Sequence, residues 1–131
     1  MAGPLGSISA MSLFVEDLGA AKAFYTHVFD VPVVHEDEDS VAVRFDNLVV
    51  NLLATSAAAE LVEPAGVADR GAGARFQLTI WVDDVDAVCA GLQDQGVELL
   101  VGPVDKPWGL RVATFADPAG HSWEVAQALD S

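Results

Sequence analysis

Ser12-Leu13-Phe14-Val15-Glu16-Asp17-Leu18-Gly19-Ala20-Ala21, near the start of the chain, lines up with Thr79-Ile80-Trp81-Val82-Asp83-Asp84-Val85-Asp86-Ala87-Val88 in its second half. Each stretch alternates between two kinds of side chain, then meets an acid followed by small apolar residues. That is the pattern of a strand running into a helix. Asp17 and Asp84 are the expected helix caps, because a carboxylate there accepts the free N–H groups of the first turn and complements the positive end of the helix dipole. Internal similarity of this kind predicts a chain built from two copies of one unit.

Working outward, apolar residues recur at helical spacing in both copies: Leu18, Ala21, Tyr25 and Val28, then Val85, Val88 and Leu92. Gly96 is a natural stop for the second helix. Three strand-like runs follow each helix. In the first half they fall near residues 31–35, 40–45 and 48–53, with Asp46-Asn47 as a tight hairpin turn. In the second they fall near 97–101, 110–115 and 122–126, with Asp117-Pro118-Ala119-Gly120 as the turn before the last. Residues 55–74 are rich in Ala, Gly and Pro and read as a connector. The fold class predicted is α+β: two βαβββ repeats, 8–54 and 75–128, forming curved mixed sheets within one domain. Helices take the convex sides, and the concave sides are left to form a cavity.

Composition bounds the function. The 131 residues are 52% hydrophobic, enough for a core, and no apolar run reaches the roughly 18–20 residues of a spanning helix. The start lacks the basic segment and apolar run of a signal peptide, so a cytoplasmic location is expected, with no membrane partner. The segment Gly3-Pro4-Leu5-Gly6-Ser7 resembles a tag-cleavage scar, and residues 1–7 are set aside from functional reasoning. Six basic against twenty acidic residues give a formal charge of −14, which repels phosphate backbones and excludes nucleic acid as a partner. The same acidity either raises the local concentration of a cationic ligand or serves solubility alone. The single cysteine, Cys89, rules out an internal disulfide framework and is expected to be buried as a small hydrophobe.

The strand ending Val82-Asp83-Asp84-Val85-Asp86-Ala87 and the late run Phe115-Ala116-Asp117-Pro118-Ala119-Gly120-His121-Ser122-Trp123-Glu124 resemble the vicinal oxygen chelate superfamily, the glyoxalase, bleomycin-resistance and extradiol-dioxygenase group. The first half agrees, through Phe14-Val15-Glu16-Asp17, Ala23-Phe24-Tyr25 and Phe29-Asp30-Val31-Pro32. The resemblance runs from about Ile8 to Gln127. It is far more specific for fold than for activity, since one scaffold hosts several chemistries and also binders without chemistry.

In metal-dependent relatives the resemblance implies four corner positions of His, Gln or Glu, two on the first strand of each repeat and two on the last. They map here onto Ala10, Asn51, Gln77 and Glu124. Strand parity puts Ala10, Ser12 and Phe14 on one face, and Gln77, Thr79 and Trp81 on the matching face of the second repeat. Ala10 has no donor atom, and Asn51 offers a neutral amide oxygen. Gln77 and Glu124 remain as the only metal candidates, one neutral and one anionic. Hard divalent ions want more carboxylate, and iron or zinc sites want imidazole. His27, His35 and His121 occupy none of the four corners. The expectation is therefore no metal cofactor; the alternative is Ni, Mn, Zn or Fe on Gln77 and Glu124, completed by substrate.

A metal-poor cleft on this scaffold resembles the drug-sequestering, bleomycin-resistance branch, which the resemblance makes a homodimer. The turn Lys106-Pro107-Trp108-Gly109 is similar to one in those drug-binding relatives and also occurs in others. The ligand-binding residues expected are Ser12, Phe14, Phe45, Asn51, Gln77, Trp81, Trp108, Arg111 and Glu124. Trp81 and Trp108 would stack on a planar or cationic small molecule, and Glu124 would anchor an ammonium group. Arg111 would pair with a ligand carboxylate or with a neighbouring acid. Two rival readings stay open: a glyoxalase- or dioxygenase-like metalloenzyme (lyase, isomerase or oxygenase), and an interaction module with a degenerate pocket.

Overall fold

The computed structural model describes residues 3–129. Of the segment read as a scar, Met1 and Ala2 lie outside the described residues, while Gly6 N–H closes a turn on Gly3 C=O at 3.0 Å. The chain divides into two compact units, the first ending at Gly71 and the second beginning at Ala72.

The first unit runs β1 (Ala10–Val15), α1 (Leu18–Val28), β2 (Val33–Glu36), β3 (Ser40–Arg44), β4 (Val49–Ala54) and α2 (Thr55–Val62), and a 3-10 turn at Arg70–Ala72 spans the boundary to the second. Its sheet has the order β1-β4-β3-β2, with β1 parallel to β4 and the other pairs antiparallel. The second unit runs β5 (Gln77–Trp81), α3 (Val85–Asp94), β6 (Val101–Lys106), β7 (Leu110–Ala116) and β8 (Ser122–Ala128). Its sheet repeats the topology as β5-β8-β7-β6. The α+β class and the βαβββ order are as the sequence predicts.

Helices α1 and α3 start where the acids foretold. Asp17 Oδ1 accepts from Ala20 N at 3.0 Å, and Asp84 Oδ1 accepts from Ala87 N at 3.1 Å. The core of the first unit is one face of its sheet, Leu13, Val15, Val41, Val43, Val50 and Leu52, with Ala21 and Tyr25 of α1; each is at most 2% exposed. In the second unit Ala113, Phe115, Trp123 and Val125 form the equivalent layer, with Val85, Cys89 and Leu92 of α3. Cys89 is buried and unpaired, and burial pushes its thiol above the usual range.

Three boundaries differ from the sequence expectation. The connector 55–74 contains α2, since Ser56-Ala57-Ala58-Ala59-Glu60-Leu61 is a run of good helix formers that buries Ala58 completely. The strand expected at 97–101 begins only at Val101. Gly96, with φ of 84°, turns the chain so that Val97 N–H returns to Leu92 C=O at 3.0 Å, closing the helix. The strand then runs through Gly102-Pro103, which the register absorbs as an irregularity between Val101 and Val104. The strand expected at 31–35 begins at Val33, after Asp30 at φ of 54° and Pro32.

Candidate functional site

Register decides which side chains share a face. In the first unit Ser12 stands opposite Asn51, flanked by Ala10 opposite Val49 and Phe14 opposite Leu53. These residues occupy the face turned away from the core layer of Leu13, Val15, Val50 and Leu52. In the second unit Thr79 stands opposite Glu124, flanked by Gln77 opposite Ser122 and Trp81 opposite Ala126. The rungs continue onto β7, where Thr114 faces Glu124 and Val112 faces Ala126. The Ser12–Asn51 and Thr79–Glu124 rungs occupy the same place in the two sheets. The repeat alignment made from sequence therefore holds to the residue.

The face in the second unit holds the carboxylate. Glu124 is half-buried, and its Oε1 accepts a hydrogen bond from Thr79 Oγ1 at 2.9 Å. No Lys, Arg or His pairs with it among the described residues. Gln77 Nε2 donates to Ser122 Oγ at 3.0 Å one rung away. On the other side of Glu124, Trp81 leaves 64% of its surface exposed beside the small Ala126. A carboxylate without a counter-ion thus stands next to an open indole, two rungs of one sheet face.

The remaining expected residues divide. Trp108 is 68% exposed in the turn between β6 and β7, and Lys106 Nζ lies 5.8 Å from its ring centroid. One face of that indole therefore already holds a cation. Phe45 lies just past β3, continuing the parity of Val41 and Val43, and packs edge-on against Phe29 at 5.5 Å. It belongs to the aromatic cluster of Phe24, Tyr25 and Phe29 rather than to the face of Ser12 and Asn51.

Arg111 also lies on the opposite side of its sheet from Glu124. Its register partner is Gln127, whose Oε1 accepts from Val85 N at the start of α3. The guanidinium reaches Asp86 Oδ1 and Asp105 Oδ1, both at 2.9 Å, and these hydrogen bonds push its pKa up. Of the two roles expected for Arg111, pairing with neighbouring acids is the one observed. Strand parity alone carried this signal, because Arg111 alternates with Val112, and Val112 shares the rung of Trp81.

The turn at 117–120 is held by Asp117, which is 2% exposed. Its Oδ1 accepts from Ala119 N and His121 N, and its Oδ2 meets His121 Nδ1 at 2.9 Å. His121 is thereby fixed to the turn, with Phe76 against its ring at 6.2 Å. Thr79 and Ser122, absent from the expected ligand set, prove to be the direct partners of Glu124 and Gln77. Their hydroxyls at alternate strand positions were the available sequence signal.

As donors, the first unit's corners offer an alanine and a neutral amide, and the second unit's a neutral amide and one carboxylate. One oxygen of the carboxylate already accepts from Thr79, and the Gln77 amide is tied to Ser122. Among the described residues no three His, Cys, Asp or Glu side chains gather as a metal would need.

A family model described as the Glyoxalase/Bleomycin resistance protein/Dioxygenase superfamily matches residues 7–125. The chain belongs to this superfamily. Solved structures of the superfamily's glyoxalase fold align over nearly the whole chain. A glyoxalase/bleomycin resistance protein/dioxygenase from Nocardioides shares 21% identity at a TM-score of 0.87, covering 100% of this chain and 87% of that one. A lactoylglutathione lyase from Agrobacterium tumefaciens shares 23% at 0.75, covering 95% and 96%. A family enzyme from Burkholderia phytofirmans shares 20% at 0.76, covering 95% and 100%. At such identities the likeness is one of fold. No curated protein matches. No helix among the described residues is long and apolar enough to cross a membrane.

Proposed function

We propose that this superfamily member is a metal-independent binder of cationic small molecules with an aromatic or apolar body, in the manner of drug-sequestering bleomycin-resistance proteins. It would act as a cytoplasmic homodimer. The observation that carries the reading is the Glu124 carboxylate, half-buried and without a cationic partner, one rung from the exposed Trp81. A half-buried charge is retained at a cost unless something pairs with it. An ammonium group supplies the missing charge, and the indole face adds cation–π and apolar contact. Trp81 is the primary stacking surface, because Lys106 already occupies one side of Trp108. Ser12, Phe14 and Asn51 offer hydrogen bonds and an apolar wall on the equivalent face of the first unit.

The lyase, isomerase or oxygenase reading rests on one feature, the diagonal placement of Gln77 and Glu124 on a single face. It demands that substrate bring most of the metal's ligands, which makes it the weaker of the two.

The test is quenching of tryptophan fluorescence by metal-free bleomycin and by a panel of planar cations, each beside a neutral isostere. Saturable quenching is expected for the cations and not the isosteres. Glu124→Gln should weaken it by about ten- to a hundredfold, the scale of a charge-assisted hydrogen bond. Equal quenching by the neutral isosteres, or no quenching by any of the compounds, contradicts the reading.

A further inference from the structure

Register carries the face of Glu124 across all four strands of the second unit, and its far corner holds a second unpaired charge. Val112 stands opposite both Ala126 on β8 and Val104 on β6, and Leu110 stands opposite both Ala128 and Lys106. Side chains at alternate positions share a face, so Lys106 lies on the side of Glu124, while Arg111 and Asp105 lie on the other. Glu124 and Lys106 are the two charged side chains that these strands place on this face. Lys106 is half-buried, and no carboxylate pairs with it among the described residues. Its Nζ rests 5.8 Å from the Trp108 ring centroid, which leaves its charge open to an anion.

An apolar rung runs between the two charges. Its middle, Ala126 and Val112, is 0% and 2% exposed, while its ends, Trp81 and Val104, are 64% and 37% exposed. A ligand therefore meets the indole and Val104 rather than the floor of the sheet. From the rung of Glu124 to that of Lys106 is about 13 Å along β7 and about 10 Å across two strand spacings. The two backbone positions thus stand about 16 Å apart, beyond the roughly 8 Å screening length at physiological ionic strength. At that separation the charges do not neutralise each other, and each stays available to a ligand.

We infer that this face takes dipolar ligands, with a cation on Glu124, an apolar or aromatic middle against Trp81 and Val104, and a carboxylate or similar anion on Lys106. The inference rests on the proposed role of Glu124 and narrows its ligands from cations to zwitterions. A charge-assisted bond at each end fixes the direction of the ligand along the sheet. In the first unit the rung equivalent to that of Glu124, Ser12 opposite Asn51, carries no charge, so the dipolar site belongs to the second unit.

The experiment compares two probes by calorimetry on the full chain: biphenyl with a para-aminomethyl and a para′-carboxylate group, and its primary carboxamide. They share the ring system and the ammonium and differ only in the anion; the flexible lysine stem closes the remaining distance. Wild type, Lys106→Met, Lys106→Arg and Glu124→Gln are measured, with a thermal melt on each to confirm folding. Wild type should favour the carboxylate by about tenfold, the scale of one charge-assisted hydrogen bond. Lys106→Met should bring the ratio to about one while keeping the affinity for the carboxamide, and Lys106→Arg should retain the preference. Glu124→Gln should weaken both probes. A wild-type ratio near one, or a preference that survives in Lys106→Met, overturns the role of Lys106, and the anchor still stands if Glu124→Gln weakens both. Retention of both probes by Glu124→Gln, or binding of neither by wild type, overturns the anchor and the dipolar site with it.

Discussion

Asp117 and His121 form a closed unit: Asp117 Oδ2 meets His121 Nδ1 at 2.9 Å, and Asp117 Oδ1 accepts the backbone N–H of both Ala119 and His121. This buried carboxylate sets the turn that delivers β8, and β8 carries Glu124. Asp117→Ala should therefore cost about 2–3 kcal/mol of stability, because it removes the acceptor of two part-buried N–H groups together with the partner of His121. Asp117→Asn, which can keep one acceptor, should cost less. Chemical denaturation of the two variants checks the order.

The matched caps give a prediction about the repeat. Asp17→Ala and Asp84→Ala should each destabilise by about 1 kcal/mol, since each removes one cap bond at 3.0–3.1 Å. The caps lie in separate units with no shared partner, so the double variant should lose close to the sum. Urea denaturation measures all three.

Arg111 separates fold from binding. Its bonds to Asp86 on α3 and Asp105 on β6 tie three elements together on the side away from Glu124. Arg111→Ala should lower the melting temperature, by less at high salt than at low, and leave the affinity for cationic probes within about twofold. A selective loss of binding would place Arg111 in the site.

Asp37 should hold its charge to lower pH than an ordinary carboxyl. The Asp39 backbone N–H, then His35 and Ser40, hold the Asp37 carboxyl below its ordinary value of 3.8. A carboxyl depressed in the folded state contributes stability that is present above the unfolded value and lost as pH falls through the folded one. The wild type should thus lose stability below about pH 4, and Asp37→Asn should show a flatter acid limb in melts across pH 2–6.

Much of this was legible in the sequence because the deciding patterns are short-range. The Asp17 and Asp84 caps, the strand parity of residues 10–14 and 77–81, and the Ser12–Thr79 and Asn51–Glu124 equivalences all follow from local alternation and a repeat. What failed to show needed tertiary information. Phe45 reads as a wall residue until its packing on Phe29 is seen, because its parity depends on where β3 ends. The Val101 start of β6 was hidden because Val97, though apolar and β-branched, closes α3. The helix Thr55–Val62 was masked by the Gly and Pro residues that follow it, although its alanines carried the signal.

The decisive measurement is calorimetric titration of metal-stripped protein, in chelator, with metal-free bleomycin, alongside Glu124→Gln. Ni²⁺, Mn²⁺, Zn²⁺ and anaerobic Fe²⁺ are then titrated separately without chelator. A metal-independent anchor gives saturable drug binding in chelator, about tenfold or more weaker in Glu124→Gln, and no tight metal site. A metal bound at about micromolar or tighter affinity and lost in Glu124→Gln, with the drug binding only in its presence, would contradict it.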